Sequence, residues 1–504
     1  MINHLMSGRV VSDMHHHDSS LGLMQFHDPH QYMYSSSSST AGGSFLPHHH
    51  AAFIKDVAPA EPLVEILEEA PGAAGAPAMQ EERKVVDEAA EEEEGEEAAA
   101  ESHGVRMIAL LMECAVAMSV GNLADANGAL LELSQMASPY AASCGERLVA
   151  YFARALAARL MSSWVGVCAP LSLQQHDDAG IVIHAAFRAF YNVAPFARAA
   201  YLACNQAVLD AFRGQRAVHI VDLDMVPGGA LQWLSLLPAL AARPGGPPAL
   251  LRVTGFGVSA ALLHDAGNQL AGLAGKLGLP FEFYAVAKRP GDAAAAVSSG
   301  LLLPGKRPGE AVAVHWLRHA LYDAAGDEAA AIRLARWLEP RVMTVVDQER
   351  SLSSSSSSGA AADDGGSFLD RFVSALHHYS AAFDSLGAAR PAGDDASRHL
   401  AENGMLGREI GNVLAIAGPS RSGRERLLPG SWQAELARHG FLRARWGSGG
   451  ARAQMLAGAC PAGLGYTVAD DAHDGTVRLG WKGTPLYAVS TWTWCATTHG
   501  HVRG

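Results

Sequence analysis

Apolar positions along the chain change their period at identifiable points. Met107, Ile108, Leu111, Met112, Ala115 and Met118 recur at helical spacing, Gly121-Asn122 breaks the run, and Leu123, Ala126, Leu130, Leu133 and Ala137 resume it. A second helical pair is expected over Arg147 to Leu160 and Val182 to Phe190. The pattern then shortens. Val218 to Leu223 is an apolar run rich in β-branched residues, set between a charged segment and a Pro-Gly-Gly turn, and it reads as a fully buried strand. Leu231 to Ala242 has the length and spacing of a helix, Pro244 to Pro248 stops it, and Leu250 to Gly255 reads as the next strand. This is a βαβ unit, which predicts a parallel sheet. Leu262, Leu263, Ala266, Leu270, Leu273 and Leu277 share one helical face, and further strands are expected at 281–286, 311–317 and 342–347. The predicted fold class is therefore α/β: a doubly wound, mostly parallel sheet of the Rossmann or methyltransferase-like kind, preceded by a set of helices. Alternating positions around Tyr466 and Val477 add an antiparallel hairpin that closes the sheet.

Composition sets the domain plan. Residues 1–104 hold three His-rich patches, a serine run, Ala/Gly/Pro stretches and an acidic tract around Glu91 to Glu97, and such a segment buries too little apolar surface to offset its conformational entropy. It is expected to be disordered. The His patches read as low complexity rather than a metal site. Within it, Pro62 to Glu69 is an acidic-hydrophobic patch with the character of an activation segment. The expected globular part is 105–504, divided into a helical part over about 105–212 and an α/β core over about 213–504. Ser351 to Gly366 reads as a flexible insertion within it.

Charge and candidate chemistry narrow the function. The formal net charge of −13 argues against tight, sequence-independent binding of duplex DNA. Six scattered cysteines without a C-x-x-C pair suggest neither a zinc ribbon nor a disulfide framework, and the chain shows no secretory signal or membrane-length apolar run. Asp222 and Asp224 fall at the carboxyl end of the first strand, where α/β sheets bind ligands. A cofactor loop there requires glycines directly after the strand, whereas Met225, Val226 and Pro227 stand in the way and the glycines come late. An S-adenosylmethionine-dependent methyltransferase-like enzyme is thus the alternative at the level of fold only, and no cofactor is expected. His219 lies inside an apolar strand and reads as a packed histidine. Gly418 to Arg426 lacks the G-K-[ST] ending of a phosphate loop, and its arginines read as a solubilising surface.

Val218-His219-Ile220-Val221-Asp222 resembles the VHIID signature of the GRAS family of plant transcriptional regulators. The LQW triplet at Leu231 to Trp233, ARPGGPP at Ala242 to Pro248 and VTGFG at Val253 to Gly257 resemble the segments downstream of that signature, especially in SCARECROW-like members. Leu110 to Tyr140 is similar to the family's first leucine-rich region. Pro340, Phe372, Tyr379, Arg408 and Glu409 match its dispersed PFYRE pattern, and the segments around Trp432, Trp481 and Trp492 match its SAW region, with Thr491 in place of the usual alanine. Between Asp224 and LQW the chain is about two residues longer than the usual pattern, and no DELLA-type segment is visible. The resemblance covers roughly residues 105 to 494 and implies a non-enzymatic nuclear coregulator that reaches DNA only indirectly. It implies that the helices over about 105–212 form a helical cap that pairs with a SHORT-ROOT-like GRAS partner, with Leu111, Leu123, Leu130 and Leu133 as candidate contacts, or homodimerisation through the same helices. It also implies contacts between the body and INDETERMINATE DOMAIN zinc-finger transcription factors. Arg408 and Glu409, adjacent on a helix, point apart and are expected to serve separate structural roles.

Overall fold

A computed structural model describes residues 99–165, 177–290, 306–322, 327–349, 368–388, 395–415, 431–444, 450–471 and 475–495. The His-rich patches, the acidic-hydrophobic patch, the serine-rich insertion and the Gly418 to Arg426 segment lie outside them. The first helix, 99–119, begins ahead of the composition break near residue 104, because Ala99, Ala100 and Glu101 are strong helix formers. A second helix, Leu123–Met136, is capped by the Asn122 side chain, which accepts from the Asp125 amide. Cys144–Val165, Asp177–Val193 and Phe196–Ala211 come next. No described helix is long and apolar enough to cross a membrane.

The five expected strands form: β1 (Ala217–Asp222), β2 (Leu250–Phe256), β3 (Phe281–Val286), β4 (Glu310–Leu317) and β5 (Val342–Gln348). They run parallel in the order β3-β2-β1-β4-β5. The sheet as a whole is mixed rather than mostly parallel. The sheet continues through β6 (Phe441–Arg443), β7 (Tyr466–Asp471), β8 (Thr476–Trp481) and β9 (Thr484–Trp494), and each of these four strands pairs antiparallel. The hairpin expected around Tyr466 and Val477 is β7–β8. The eleven-residue β9 makes the difference. One of its edges pairs with β5 over Tyr487 to Trp492, while the other is shared between β8 near its start and β6 near its end.

Side chains alternate across the parallel strands and build two cores. Val218, Ile220, Leu251, Val253, Ala311 and Ala313 face the helices Leu231–Ala241 and Ala260–Lys276. Val221, Val312, Val314, Met343 and Val345 face Asp327–Leu338 and Ser431–Arg438. A third core joins the N-terminal helices to later ones: Asp395–Ala401 packs on Asp177–Val193, and Gly407–Ala415 packs on Cys144–Val165. Residues 395–415 thus share one helical core with the N-terminal helices. The buried Arg147–Glu402 ion pair, 3.1 Å, ties the two contributions together at the π-helical turn Glu402–Leu406.

Candidate functional site at the carboxyl edge of the sheet

Asp222 ends β1 on the face of Val218 and Ile220, and it is buried. Its carboxylate accepts the Trp233 indole N–H at 2.9 Å and the Asp224 amide at 3.2 Å. Burial pushes its pKa up to about 7. The LQW triplet therefore has a local explanation. Trp233 reaches back to Asp222, and Gln232 exchanges hydrogen bonds with Asn205 of the preceding helix, its amide donating to Asn205 Oδ1 at 3.2 Å and its carbonyl accepting from Asn205 Nδ2 at 3.1 Å. His315, in the neighbouring strand, packs edge-on against Trp233 with ring centroids 5.5 Å apart and bonds Thr344 Oγ1 at 2.9 Å; burial lowers its pKa to about 3.

The turn after β1 closes over this platform. Met225 and Val226 are buried, and the Met225 amide donates to the Phe256 carbonyl at 2.9 Å. A Cβ on Gly255 would stand 2.6 Å from Met225 Sδ, and one on Gly257 would collide with Val226 Cγ2. The glycines of VTGFG are therefore the complement of this turn. Pro227 supplies no N–H to this turn.

At the carboxyl edge lies an open cleft of about 100 Å³ between the ends of β1, β2, β4 and β5, lined by Asp224, Gly257, Arg289, Arg318, His319 and Tyr322 among others. His319 Nε2 contacts Asp224 Oδ2 at 3.0 Å, while its Nδ1 accepts from the Leu321 amide at 3.2 Å. That pattern places the proton on Nε2 and occupies both ring nitrogens, so His319 has no free site for general base work. Arg318 pairs with Glu328 and, at 2.8 Å, with Asp347, and lies over the rings of Trp316 and Trp432 at 5.3 and 4.7 Å.

Arg408 and Glu409 support the cleft from behind by separate routes. Arg408 Nε donates to the Leu321 carbonyl at 2.6 Å, and Asn412, one turn on, donates to the Ala320 carbonyl at 2.7 Å. Together they fix the backbone that presents His319 and Tyr322. Glu409 is fully buried and accepts two bonds from Gln348 Nε2, at 2.7 and 2.8 Å, with Tyr379 Oη at 3.4 Å. Three PFYRE residues thus converge on one core, since Phe372 also packs edge-on against Phe152, which in turn contacts Tyr379.

The other sequence candidates lie elsewhere. Trp432 stacks edge-on between Trp316 at 6.1 Å and Trp492 at 5.9 Å, and Trp481 donates to Asp384 at 2.6 Å against the ring of Tyr466. His219 is packed, as expected, and its partners are side chains on the neighbouring strand β2: Nε2 meets Thr254 Oγ1 at 2.8 Å, and Arg252 Nη2 approaches Nδ1 at 3.1 Å. Burial, then the Arg252 charge, lowers its pKa to about 3. Arg252 in turn forks onto buried Glu310, with Nε 2.9 Å from Oε1. Sequence reasoning gave Arg252 and Glu310 no role, although an arginine inside the apolar run of β2 was a usable signal.

Of the four leucines expected to meet a partner, Leu111, Leu130 and Leu133 are buried in the chain's own helical core, and Leu123 is partly buried against it. Helical spacing identifies an apolar stripe without saying which chain covers it, and here the chain covers it itself. The exposed apolar side chains of the first helix and the turn after it are Val105, Ile108, Val116 and Val120.

The GRAS domain family model matches residues 107–493. The chain is 41% identical over 395 residues to Protein SCARECROW of Arabidopsis thaliana, covering 78% of this chain and 56% of that one. It is 42% identical over 397 residues to Protein SCARECROW 2 of Oryza sativa subsp. indica, with the same two shares. It is 38% identical over 400 residues to Scarecrow-like protein 23 of Arabidopsis thaliana, covering 77% of this chain and 89% of that one. The chain thus spans about half the length of the SCARECROW relatives. The crystal structure of SCL7 from Oryza sativa aligns with a TM-score of 0.58 at 27% identity, covering 77% of this chain and 99% of that one. The chain belongs to the GRAS domain family, among its SCARECROW-like plant regulatory proteins.

Proposed function

We propose that this chain is a nuclear transcriptional coregulator that works through protein contacts and is brought to specific DNA sites by other proteins. Its partners are a SHORT-ROOT-like GRAS protein, at the N-terminal helices acting as a cap, and zinc-finger factors of the INDETERMINATE DOMAIN type, on a doubly wound body. The observation that carries this reading is the SCARECROW-like identity sustained through residues 107–493. Exposed Val116 and Val120, 45% and 74% accessible, supply an apolar surface for the first partner. The strand order β3-β2-β1-β4-β5 supports the doubly wound description of the body. Association of two copies through the same helices is the alternative arrangement.

The methyltransferase reading fares worse at the site itself. Ligand pockets span about 300–1,000 Å³, and the cleft of about 100 Å³ is well below that range. The deciding experiment is co-purification of the full chain with a SHORT-ROOT-like protein, compared with Val116→Glu/Val120→Glu. Loss of the complex with an unchanged circular dichroism spectrum supports pairing through these helices. A wild-type chain that ignores the partner but gives a heat of binding with S-adenosylmethionine replaces this reading with the enzyme.

A further inference from the structure

The acidity of the chain is confined to its first part. Residues 1–98 carry 18 carboxylates against four Lys or Arg, which leaves 33 acidic and 34 basic residues in the remainder. Against that neutral background, cations gather at the edge opposite the cleft, where the five parallel strands begin. Lys276 ends the helix before β3, Arg243 lies just beyond the helix before β2, and Arg213 and Arg216 lead into β1. Lys306 and Arg307 lead into β4, and Arg336 and Arg341 flank the entry to β5. Strands about 4.8 Å apart spread this row over roughly 19 Å.

Three of these cations are matched by carboxylates: Arg213 by Asp210 at 2.7 Å, Lys306 by Glu339 at 3.7 Å and Arg307 by Glu282 at 2.8 Å. Among the described residues, no carboxylate pairs with Arg216, Arg243, Lys276, Arg336 or Arg341. Arg243 and Arg341 are held by backbone carbonyls, of Phe212 at 2.8 Å and Ala211 at 3.1 Å, so their charge is fixed in place and not neutralised. The edge therefore carries a net excess of about five positive charges, built from segments far apart in sequence.

We propose that this amino-terminal edge contacts the phosphate backbone of duplex DNA without reading its sequence. The cations are mostly arginines, whose planar fork suits phosphate oxygens. A polyanion draws affinity from counterion release alone, whereas a protein partner needs a buried apolar anchor. Among the described residues, Trp337 is the one large exposed apolar side chain on the loops and helix ends that precede these strands. The proposal goes beyond the coregulator reading and does not rest on it. This edge would hold the chain against a phosphate backbone whatever the base sequence.

The test is fluorescence anisotropy of the full chain with a labelled 30-base-pair duplex of arbitrary sequence, titrated at several salt concentrations. Binding is expected to weaken with a log–log salt slope of about −3 to −4, as for roughly four neutralised phosphates. The variant Arg216→Gln/Lys276→Gln/Arg336→Gln is expected to bind at least tenfold more weakly, with the slope reduced by about one for each cation removed. Lys288→Gln, exposed at the opposite edge, is expected to bind like the wild type. No binding by the wild type at low salt, equal binding by the triple variant, or tighter binding of polyglutamate than of a duplex of equal charge overturns the proposal. The last outcome assigns the edge to an acidic protein segment.

Discussion

The indole N–H of Trp233 donates to the carboxylate of Asp222 across 2.9 Å, joining the end of β1 to the helix after it. Both groups are buried, so water cannot replace either one. Trp233→Phe keeps an aromatic ring in the core and removes the donor. The expected cost is about 1–3 kcal/mol, the desolvation penalty of an acceptor left without a partner. Urea unfolding followed by circular dichroism measures it, and an unchanged midpoint would show that the bond contributes nothing.

Titration of Asp222 gives a second prediction. Its pKa is about 7 in the folded chain, against about 3.9 unfolded. The folded state therefore holds the extra proton between those values, and this group's contribution to stability falls as pH rises from about 4 to about 7. His219 and His315 act in the opposite sense. Their folded pKa values of about 3 lie below the unfolded value of about 6.5, so their stabilisation is present above that pH and is lost as pH falls toward 3. In Asp222→Asn the two histidines act unopposed. The stability difference, wild type minus variant, is expected to shrink by about 1.4 kcal/mol per pH unit from pH 5 to 6.5 and to level off above pH 8. Urea unfolding at four pH values reads this directly, and a flat difference would mean that Asp222 is ionised throughout.

Much of this arrangement was legible before the fold. The apolar runs at 218–223, 250–255, 281–286, 311–317 and 342–347 appear as β1 to β5, with ends displaced by one residue or so. Continuous β-branched runs have few other ways to be buried. Periodicity does not identify partners. It marked His219 as packed but could not show that Thr254 and Arg252 meet it, because strand register is a relation between distant segments. For the same reason β9 could not be placed between β5 and β8 from its own residues. The helical stripe at Leu111, Leu130 and Leu133 was correctly read as apolar, while its cover, the chain itself, emerged only from packing. Residues 407–415 carried a family pattern, but the support that Arg408 and Asn412 give to residues 320–321 depends on a loop about ninety positions earlier.

The ion pair between Arg252 and Glu310 is wholly buried and flanked by His219. Taking away one partner leaves an uncompensated charge in the core. Arg252→Met and Glu310→Leu are each expected to cost about 3–5 kcal/mol, and the double change less than either alone. A double-mutant cycle in urea measures the coupling. Additive losses would show that the two charges do not act as a unit.

Val226, buried in the turn after β1, packs directly against Gly257 at the end of β2. Gly257→Ala is expected to cost about 1–3 kcal/mol, because the added methyl meets the buried Val226 side chain and the packed turn has nowhere to shift. Val226→Ala on its own also destabilises, by leaving a cavity between the turn and β2. Combined, the new methyl enters the vacated volume, so the double variant is expected to lose less than the sum of the two. Strict additivity, measured by urea unfolding of all four proteins, would mean that the turn does not pack on Gly257. The single variant Val226→Ala has a further use. It removes side-chain bulk from the turn while Pro227 still withholds an N–H, so it is expected to give no heat of binding with S-adenosylmethionine. Binding gained by Val226→Ala and lost again in the double variant would show that side-chain bulk, and not the missing backbone donor, keeps the carboxyl edge from serving as a cofactor site.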